Sequence, residues 1–387
     1  MERPLTDMDD CPVALTQNLV HINSASPTLG SVGGPGETEI ATYVASWLRS
    51  RDIEVHWIEP TKGRPSVVGV ARGSGGGKNL MFNGHLDTVA LLGYEGDPLS
   101  GKIEDGKLYG RGAADMKYGL AAAMVALVNA KNLNLRGDVI FAGVADEEDT
   151  SIGTEDILRA GWTADAAVVN EPTNLEIIHA HRGFVWFEAN IHGVAYHGSS
   201  PDMGVDAISK AGHFLAELDR YADRLAIRKS GYAGSLSVHA STIKGGEEIS
   251  SYPANCTITI ERRTVPGETP ASVEEELVEI LGRISKSTPK FKYDIKATFN
   301  RSPFELSTDH EFSQLVGETL QSTTGEKLPF KAAPYWPDCA LLADAGIPAL
   351  LWGPKEDGLH SKKEWIEVES IKTVAQGLTA IAAKFCK

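Results

Sequence analysis

Residues 80–88 read LMFNGHLDT: an apolar run, Leu80–Asn83, that breaks at Gly84 and delivers His85 and Asp87. A strand that ends on a histidine and an acid places them where α/β sheets build their ligand sites. Two positions apart, the two side chains project to the same side in extended geometry. The surrounding sequence has the same texture. Residues 37–50 put Ile40, Val44, Trp47 and Leu48 on one helical face, followed by strand-like Ile53–Ile58 and Ser66–Ala71. Beyond Asp87 come a helical Tyr118–Lys131 and strands Asp138–Gly143 and Ala166–Val169. Helices interleaved with buried strands predict an α/β domain with a mixed, mostly parallel sheet and helices on both faces.

Near residue 182 the pattern changes. Phe184–His192 alternates like a strand, and 202–225 carries Val205, Ile208, Leu215, Leu218 and Leu225 at helical spacing. Strand-like Leu236–Ile243 and Cys256–Arg262 follow. A helix with Val273, Leu277, Ile280, Leu281 and Ile284 on one face comes next, and Phe291–Phe299 closes as a strand. This β-α-β-β-α-β order predicts a ferredoxin-like α+β domain. A helix near 308–322, a strand at Ala349–Trp352 and a helix from about 367 resume the first texture. The expected organisation is one discontinuous domain, 1–181 and 303–387, interrupted by a smaller domain at 182–302, with hinges near 182 and 302.

Composition narrows the function classes. Of 387 residues 42% are hydrophobic and 23% charged, which excludes a disordered or fibrous chain. A net charge of −15 argues against a nucleic-acid-coating protein. The longest apolar run, around Leu120–Val128, is far short of the roughly 18 residues of a membrane span. The stretch MERPLTDMDDCP has no basic region leading into an apolar one. Cys11, Cys256, Cys339 and Cys386 have no C-x-x-C spacing, so reduced thiols and a cytoplasmic location are expected. Gly73–Lys78 lacks the first glycine of a Walker loop, where Arg72 stands, and reads as a hairpin turn.

Further acids and a histidine sit where strands end or loops begin. Asp115 precedes the Ala-rich helix, and the run Asp146–Asp149 follows the strand Asp138–Gly143. Glu171 follows Ala166–Val169, and His360 follows Ala349–Trp352. Singly, each has a bland reading: a polar turn at His85, a helix cap at Asp115, a solvated acidic loop at 146–149. Jointly they can converge on one sheet edge. Imidazoles and carboxylates without thiolate suit two hydrolytic divalent metals, Zn²⁺ foremost, better than a structural Cys-type zinc site.

The motifs GHLDT at 84–88, GRGAADMK at 110–117, ADEED at 145–149, NEPT at 170–173 and the late His360 resemble the M20 metallopeptidase family. That group includes acetylornithine deacetylase, succinyl-diaminopimelate desuccinylase, aminoacylase-1 and glutamate carboxypeptidase. The likeness spans essentially the whole chain. It implies a site of two Zn²⁺, with Co²⁺ or Mn²⁺ as substitutes. His85 and Glu171 would hold one ion, Glu148 and His360 the other, and Asp115 would bridge them. Glu147 matches the general base for a metal-bridging water, and Asp87 the carboxylate that orients His85. In the inserted lid, His197 matches a histidine that reaches the active site, and Arg263, in Glu261-Arg262-Arg263, the clamp for a substrate carboxylate. The resemblance leaves open a homodimer through the lid.

The chain departs from the pattern at Ser250-Ser251-Tyr252-Pro253, where many members carry Asn, and at Tyr335-Trp336-Pro337-Asp338, where many carry Gly-Thr-Asp. Tyr335 and Trp336 either contact an apolar part of the substrate or belong to the core. The implied activity is hydrolysis of an amide in a small N-acyl amino acid. A dipeptidase or carboxypeptidase is the alternative, and a non-catalytic metal-binding relative is disfavoured by the intact Glu147. Small-molecule substrates are expected, with neither nucleic acid nor membrane as partner.

Overall fold

The computed structural model describes residues 10–230 and 234–387; most of the acidic N-terminal stretch considered above lies outside the described residues. The chain divides into two compact units. The first comprises residues up to His179 together with Leu306–Lys331 and Pro337–Lys387; the second is Ala180–Glu305 with Ala332–Trp336.

The first unit is built on a mixed sheet. Its strand order is Glu54–Ile58, Ser66–Ala71, Val139–Val144, Leu80–His85, Ala166–Val169 and Ala349–Leu351, then Ile177–His181, the strand that leads into the second unit and that also pairs Phe304–Glu305. Leu80–His85 runs parallel to both Val139–Val144 and Ala166–Val169, and Ala349–Leu351 runs parallel to Ala166–Val169. The first two strands and Ile177–His181 run antiparallel to their neighbours. Ser66–Ala71, Leu80–His85 and Val139–Val144 are buried at every position, as strands covered on both faces must be. One apolar cluster joins Val67, Phe82, Phe141 and Val168 to the helices Thr38–Arg49, Tyr118–Lys131, Glu311–Thr324 and Val368–Phe385. Ile152–Arg159 and Cys339–Asp344 pack on the same sheet.

Tyr118–Lys131 is buried almost all round, which its alanines permit. Gly119 is required there: a Cβ would lie 2.4 Å from the carbonyl oxygen of Asn170. The helix therefore packs directly against the segment that carries Glu171.

The loop at Gly73–Lys78 is not a hairpin turn. The strands it joins are separated by Val139–Val144, and the loop crosses the start of that strand. Ser74 and Gly75 donate to the carbonyls of Leu135 and Arg136, and the Gly73 amide to Asp138 Oδ1. The glycines fit this close crossing of backbone over backbone.

The second unit has the β-α-β-β-α-β order. Its antiparallel sheet runs Ser237–Gly245, Asn255–Thr264, Gly183–His192 and Lys292–Arg301. Helices Ala207–Ile227 and Pro270–Ser287 cover one face, burying Val185, Phe187, Ala189 and Ile191 with Phe214, Leu277 and Leu281. Asp206 and Thr269 cap the two helices through their side chains.

Candidate metal centre

Because Leu80–His85, Val139–Val144 and Ala166–Val169 are parallel and in register, their C-terminal ends open on one edge. His85 ends the first, Glu147 and Glu148 follow the second, and Glu171 follows the third. Asp115 arrives just before the helix Tyr118–Lys131, and His360 in a loop after Ala349–Leu351.

Asp115 lies between the two histidines. His85 Nε2 donates to its Oδ1 at 3.0 Å, and His360 Nε2 to its Oδ2 at 3.1 Å. Glu171 Oε1 is 3.5 Å from His85 Nε2, and Glu148 Oε2 is 3.0 Å from His360 Nε2. Two overlapping groups could each hold a metal ion: His85, Asp115 and Glu171, and Asp115, Glu148 and His360. Within each, the donor atoms lie within 4.8 Å of one another, and Asp115 serves both. Glu147 Oε2 stands 4.0 Å from His85 Nε2 and belongs to neither group.

The electrostatics follow from burial and crowding. Burial alone would lower His85, but the charge of Glu171 and hydrogen bonds to Asp115 and Asp87 carry it well above the usual histidine range. Hydrogen bonds to Asp115 and Glu148 bring His360 up to about 10. Burial works against ionisation of Asp115, yet bonds from His360 and His85 hold its carboxyl below the usual range. Glu147 and Glu171 are pushed well up by burial and by neighbouring carboxylates, against the pull of His85. Glu148 is raised by burial and by Asp115.

The donor set fits divalent cations. Carboxylates outnumber imidazoles, with no cysteine among the donors, and burial decreases from His85 and Glu171 to the exposed His360; this set suits Zn²⁺ and similar hydrolytic metals. Glu148 Oε1 is buried without a hydrogen-bond partner. His85 Nδ1 donates to the backbone carbonyl of Asp87 at 3.0 Å, so Nε2 is the nitrogen that faces Asp115 and Glu171.

The Asp87 carboxylate holds the acidic loop. Its Oδ1 stands 3.6 Å from His85 Nδ1 but accepts the backbone N–H of Glu147 at 3.1 Å, and Oδ2 accepts that of Glu148 at 3.2 Å. Of the acidic run, Asp146 turns away: it meets Arg64, which also holds Glu37, and accepts from Thr150.

The residues expected from the lid lie in the second unit. His197 is exposed; its Nδ1 lies 2.7 Å from Ser199 Oγ and 3.2 Å from the Ser199 backbone nitrogen, which leaves Nε2 without a contact to that segment. Arg263 bonds Glu261 through Nε at 2.7 Å and lies over the Phe184 ring. Trp336 donates to the Ser302 carbonyl at 3.0 Å and meets His181 and Phe184 edge-on, a packed position in an aromatic cluster. Tyr335 is half-buried.

Three residues near the centre carried no role in the sequence reading. Asp338 is buried and accepts from Thr154 Oγ1 at 2.6 Å, and its charge acts on Glu147 and Glu171. Arg111 and Glu364 form a buried ion pair at 2.7 Å. Arg111 stands inside a quoted motif and Asp338 inside a noted departure, but nothing in sequence separates a buried charge from a solvated one.

The sequence profile of peptidase family M20/M25/M40 matches residues 81–384, well over half of the chain. The chain belongs to the M20 peptidase family. As a member it is a metal-dependent amidohydrolase or peptidase acting on C–N bonds. This M20 chain is 28% identical over 328 residues to acetylornithine deacetylase from Myxococcus xanthus, covering 83% of this chain and 84% of that protein. It is 26% identical over 407 residues to N-formyl-4-amino-5-aminomethyl-2-methylpyrimidine deformylase from Halalkalibacterium halodurans, covering 97% and 94%. The crystal structure of aminopeptidase PepT from Bacillus cereus matches with a TM-score of 0.80 at 20% identity, over 98% of this chain and 99% of that one. That last likeness is one of fold.

Proposed function

We propose that this M20 chain hydrolyses the amide of a small N-acyl amino acid or related acylated amine with two bound Zn²⁺, for which Co²⁺ or Mn²⁺ can substitute. The observation that carries the reading is Asp115, whose two oxygens face two different histidines at 3.0 and 3.1 Å. His85, Asp115 and Glu171 would hold one ion, and Asp115, Glu148 and His360 the other. When bound, such a pair supplies Lewis acidity and lowers the pKa of water enough to make a nucleophile at neutral pH.

The chain's own residues do the rest. Glu147, outside both donor groups, takes a proton from the attacking water and returns it to the leaving nitrogen, so that water and amide yield a carboxylate and an amine. Asp87 fixes the backbone on which Glu147 stands and orients His85. His197 donates from Nε2 to the carbonyl oxygen as charge develops there. Arg263 receives the substrate carboxylate. Tyr335 and Trp336 border the substrate's side chain, Trp336 from its packed position.

Both matched enzymes with 26–28% identity are named for removing a short acyl group from nitrogen, which favours the deacylase over the dipeptidase or carboxypeptidase reading. The four cysteines, all unpaired, suit a reducing cytoplasm. A homodimer through the second unit belongs to the same proposal: Ser237–Gly245 is an edge strand, and Ile208 and Ile243 are exposed.

The test is primary-amine release from matched N-formyl and N-acetyl amino acids and dipeptides, with Zn²⁺ and with chelator. Chelator-sensitive release from the N-acyl set alone supports the proposal. Release from dipeptides alone would replace it with the peptidase reading. Silence across the panel with two metals bound would leave the disfavoured non-catalytic reading.

A further inference from the structure

Two buried charged side chains beside the metal centre have no part in the chemistry above. Glu364 is wholly buried and Arg111 is 3% exposed. Glu364 Oε1 accepts the backbone N–H groups of Ala114 at 2.9 Å and Asp115 at 3.1 Å. Its Oε2 accepts Arg111 Nη1 at 2.7 Å. The other arm of the guanidinium, Nη2, donates to the backbone carbonyl of Ser361 at 3.0 Å. One end of this brace therefore grips the backbone of Asp115, and the other grips the carbonyl of Ser361, the residue after His360.

The two donor groups differ in how they are held. His85 is 1% exposed and ends a strand paired on both sides. The His360 side chain is 52% exposed, and its residue lies in a loop with a φ of 57°. A buried ion pair is costly unless its geometry and hydrogen bonds are complete. Here both carboxylate oxygens of Glu364 are used, and the two terminal nitrogens of Arg111 span a carboxylate and a carbonyl at once, while its Nε is buried without a partner. A lysine ammonium lacks the rigid fork that holds two acceptors at a fixed separation.

We propose that Arg111 and Glu364 are positioning residues that set the distance between Asp115 and His360, and with it the affinity of the Asp115–Glu148–His360 group for its metal ion. The His85–Asp115–Glu171 group depends on the strand that carries His85 and is insulated from the Arg111 end of the brace. The inference rests on the two-metal reading. Partners at this remove from a metal typically change affinity by about 10–100-fold.

Metal-stripped protein is titrated with Zn²⁺ by calorimetry and with Co²⁺ by visible absorption, with circular dichroism as a check on fold. Arg111→Lys keeps a positive charge beside Glu364 and leaves Glu364 on the Asp115 amide, removing only the second arm. The expected result is a first equivalent bound within about threefold of wild type and a second weakened at least tenfold, with half the Co²⁺ signal retained at limiting metal. Glu364→Gln keeps an oxygen for both amides but loses the ion pair, and is expected to weaken the second equivalent as well. Two equivalents bound as in wild type by both folded variants would overturn the proposal. So would equal weakening of both equivalents, or loss of fold in both variants, which would make the brace merely structural. A wild type that binds fewer than two equivalents would sink the two-metal reading itself, a result visible before any variant is made.

Discussion

The Asp87 carboxylate accepts the backbone N–H of Glu147 at 3.1 Å, and its other oxygen takes the amide of Glu148 at 3.2 Å. One side chain, two residues beyond His85, thus fixes the loop that carries both the proposed base and a proposed ligand. Asp87→Asn turns an amide NH₂ toward one of those donors and loses that bond. We expect a fall in kcat of about 10–100-fold, with KM changed little and metal content preserved. Steady-state kinetics beside metal analysis checks this; unchanged kcat would mean that the Glu147 loop is held without Asp87.

Glu147 is the proposed base because it stands near His85 yet outside both donor groups. Glu147→Gln conserves shape while removing the proton acceptor. The expected result is two metals bound and kcat lowered by at least about 10²-fold, the lower end of what a positioned acid–base group contributes. Normal turnover in that variant would end the assignment.

The candidate donors were legible in sequence because most of them follow strand ends, and strands announce themselves by unbroken apolar runs such as Leu80–Phe82 and Ala166–Val169. The strands Ser66–Ala71 and Ala166–Val169 and the helix Tyr118–Lys131 form over the residues that periodicity predicts. Short elements were not legible: Ile152–Arg159 and Cys339–Asp344 are too brief for a helical period to declare itself. Pairing was also hidden, since adjacency in sequence at Gly73–Lys78 suggested a hairpin where the sheet inserts Val139–Val144. Least legible were Glu37, Arg64, Arg111, Asp338 and Glu364. Charged residues are almost never fully buried unless paired, and the partners here lie far apart in sequence.

Arg64 is the cation of one such cluster. It donates to both oxygens of Glu37 and pairs with Asp146, whose backbone N–H also reaches Glu37 at 3.2 Å. Removing it leaves two buried carboxylates without a cation, so Arg64→Ala should destabilise the first unit by about 3–5 kcal/mol. Denaturant unfolding measures this, and a loss under about 1 kcal/mol would show that water or rearrangement replaces the guanidinium.

His181 makes the stability of the second unit depend on pH. Its ring is fully buried, Nδ1 donates to the Arg182 carbonyl at 2.9 Å, and Nε2 is buried without a partner. Burial brings its pKa down to about 3, against a weak upward pull from the Arg182 carbonyl. The free side chain titrates near 6.5, so between that value and about 3 the unfolded chain binds a proton that the folded one refuses. This contribution to stability is therefore complete above pH 6.5 and is lost as pH falls through the window, by up to about 1.4 kcal/mol per pH unit. His181→Phe cannot titrate and keeps an aromatic ring against Phe304 and Trp336. Unfolding measured at pH 7, 6, 5 and 4 should show wild type losing stability more steeply than the variant. Parallel slopes would mean that the folded protein admits the proton, and that His181 is not sealed from water.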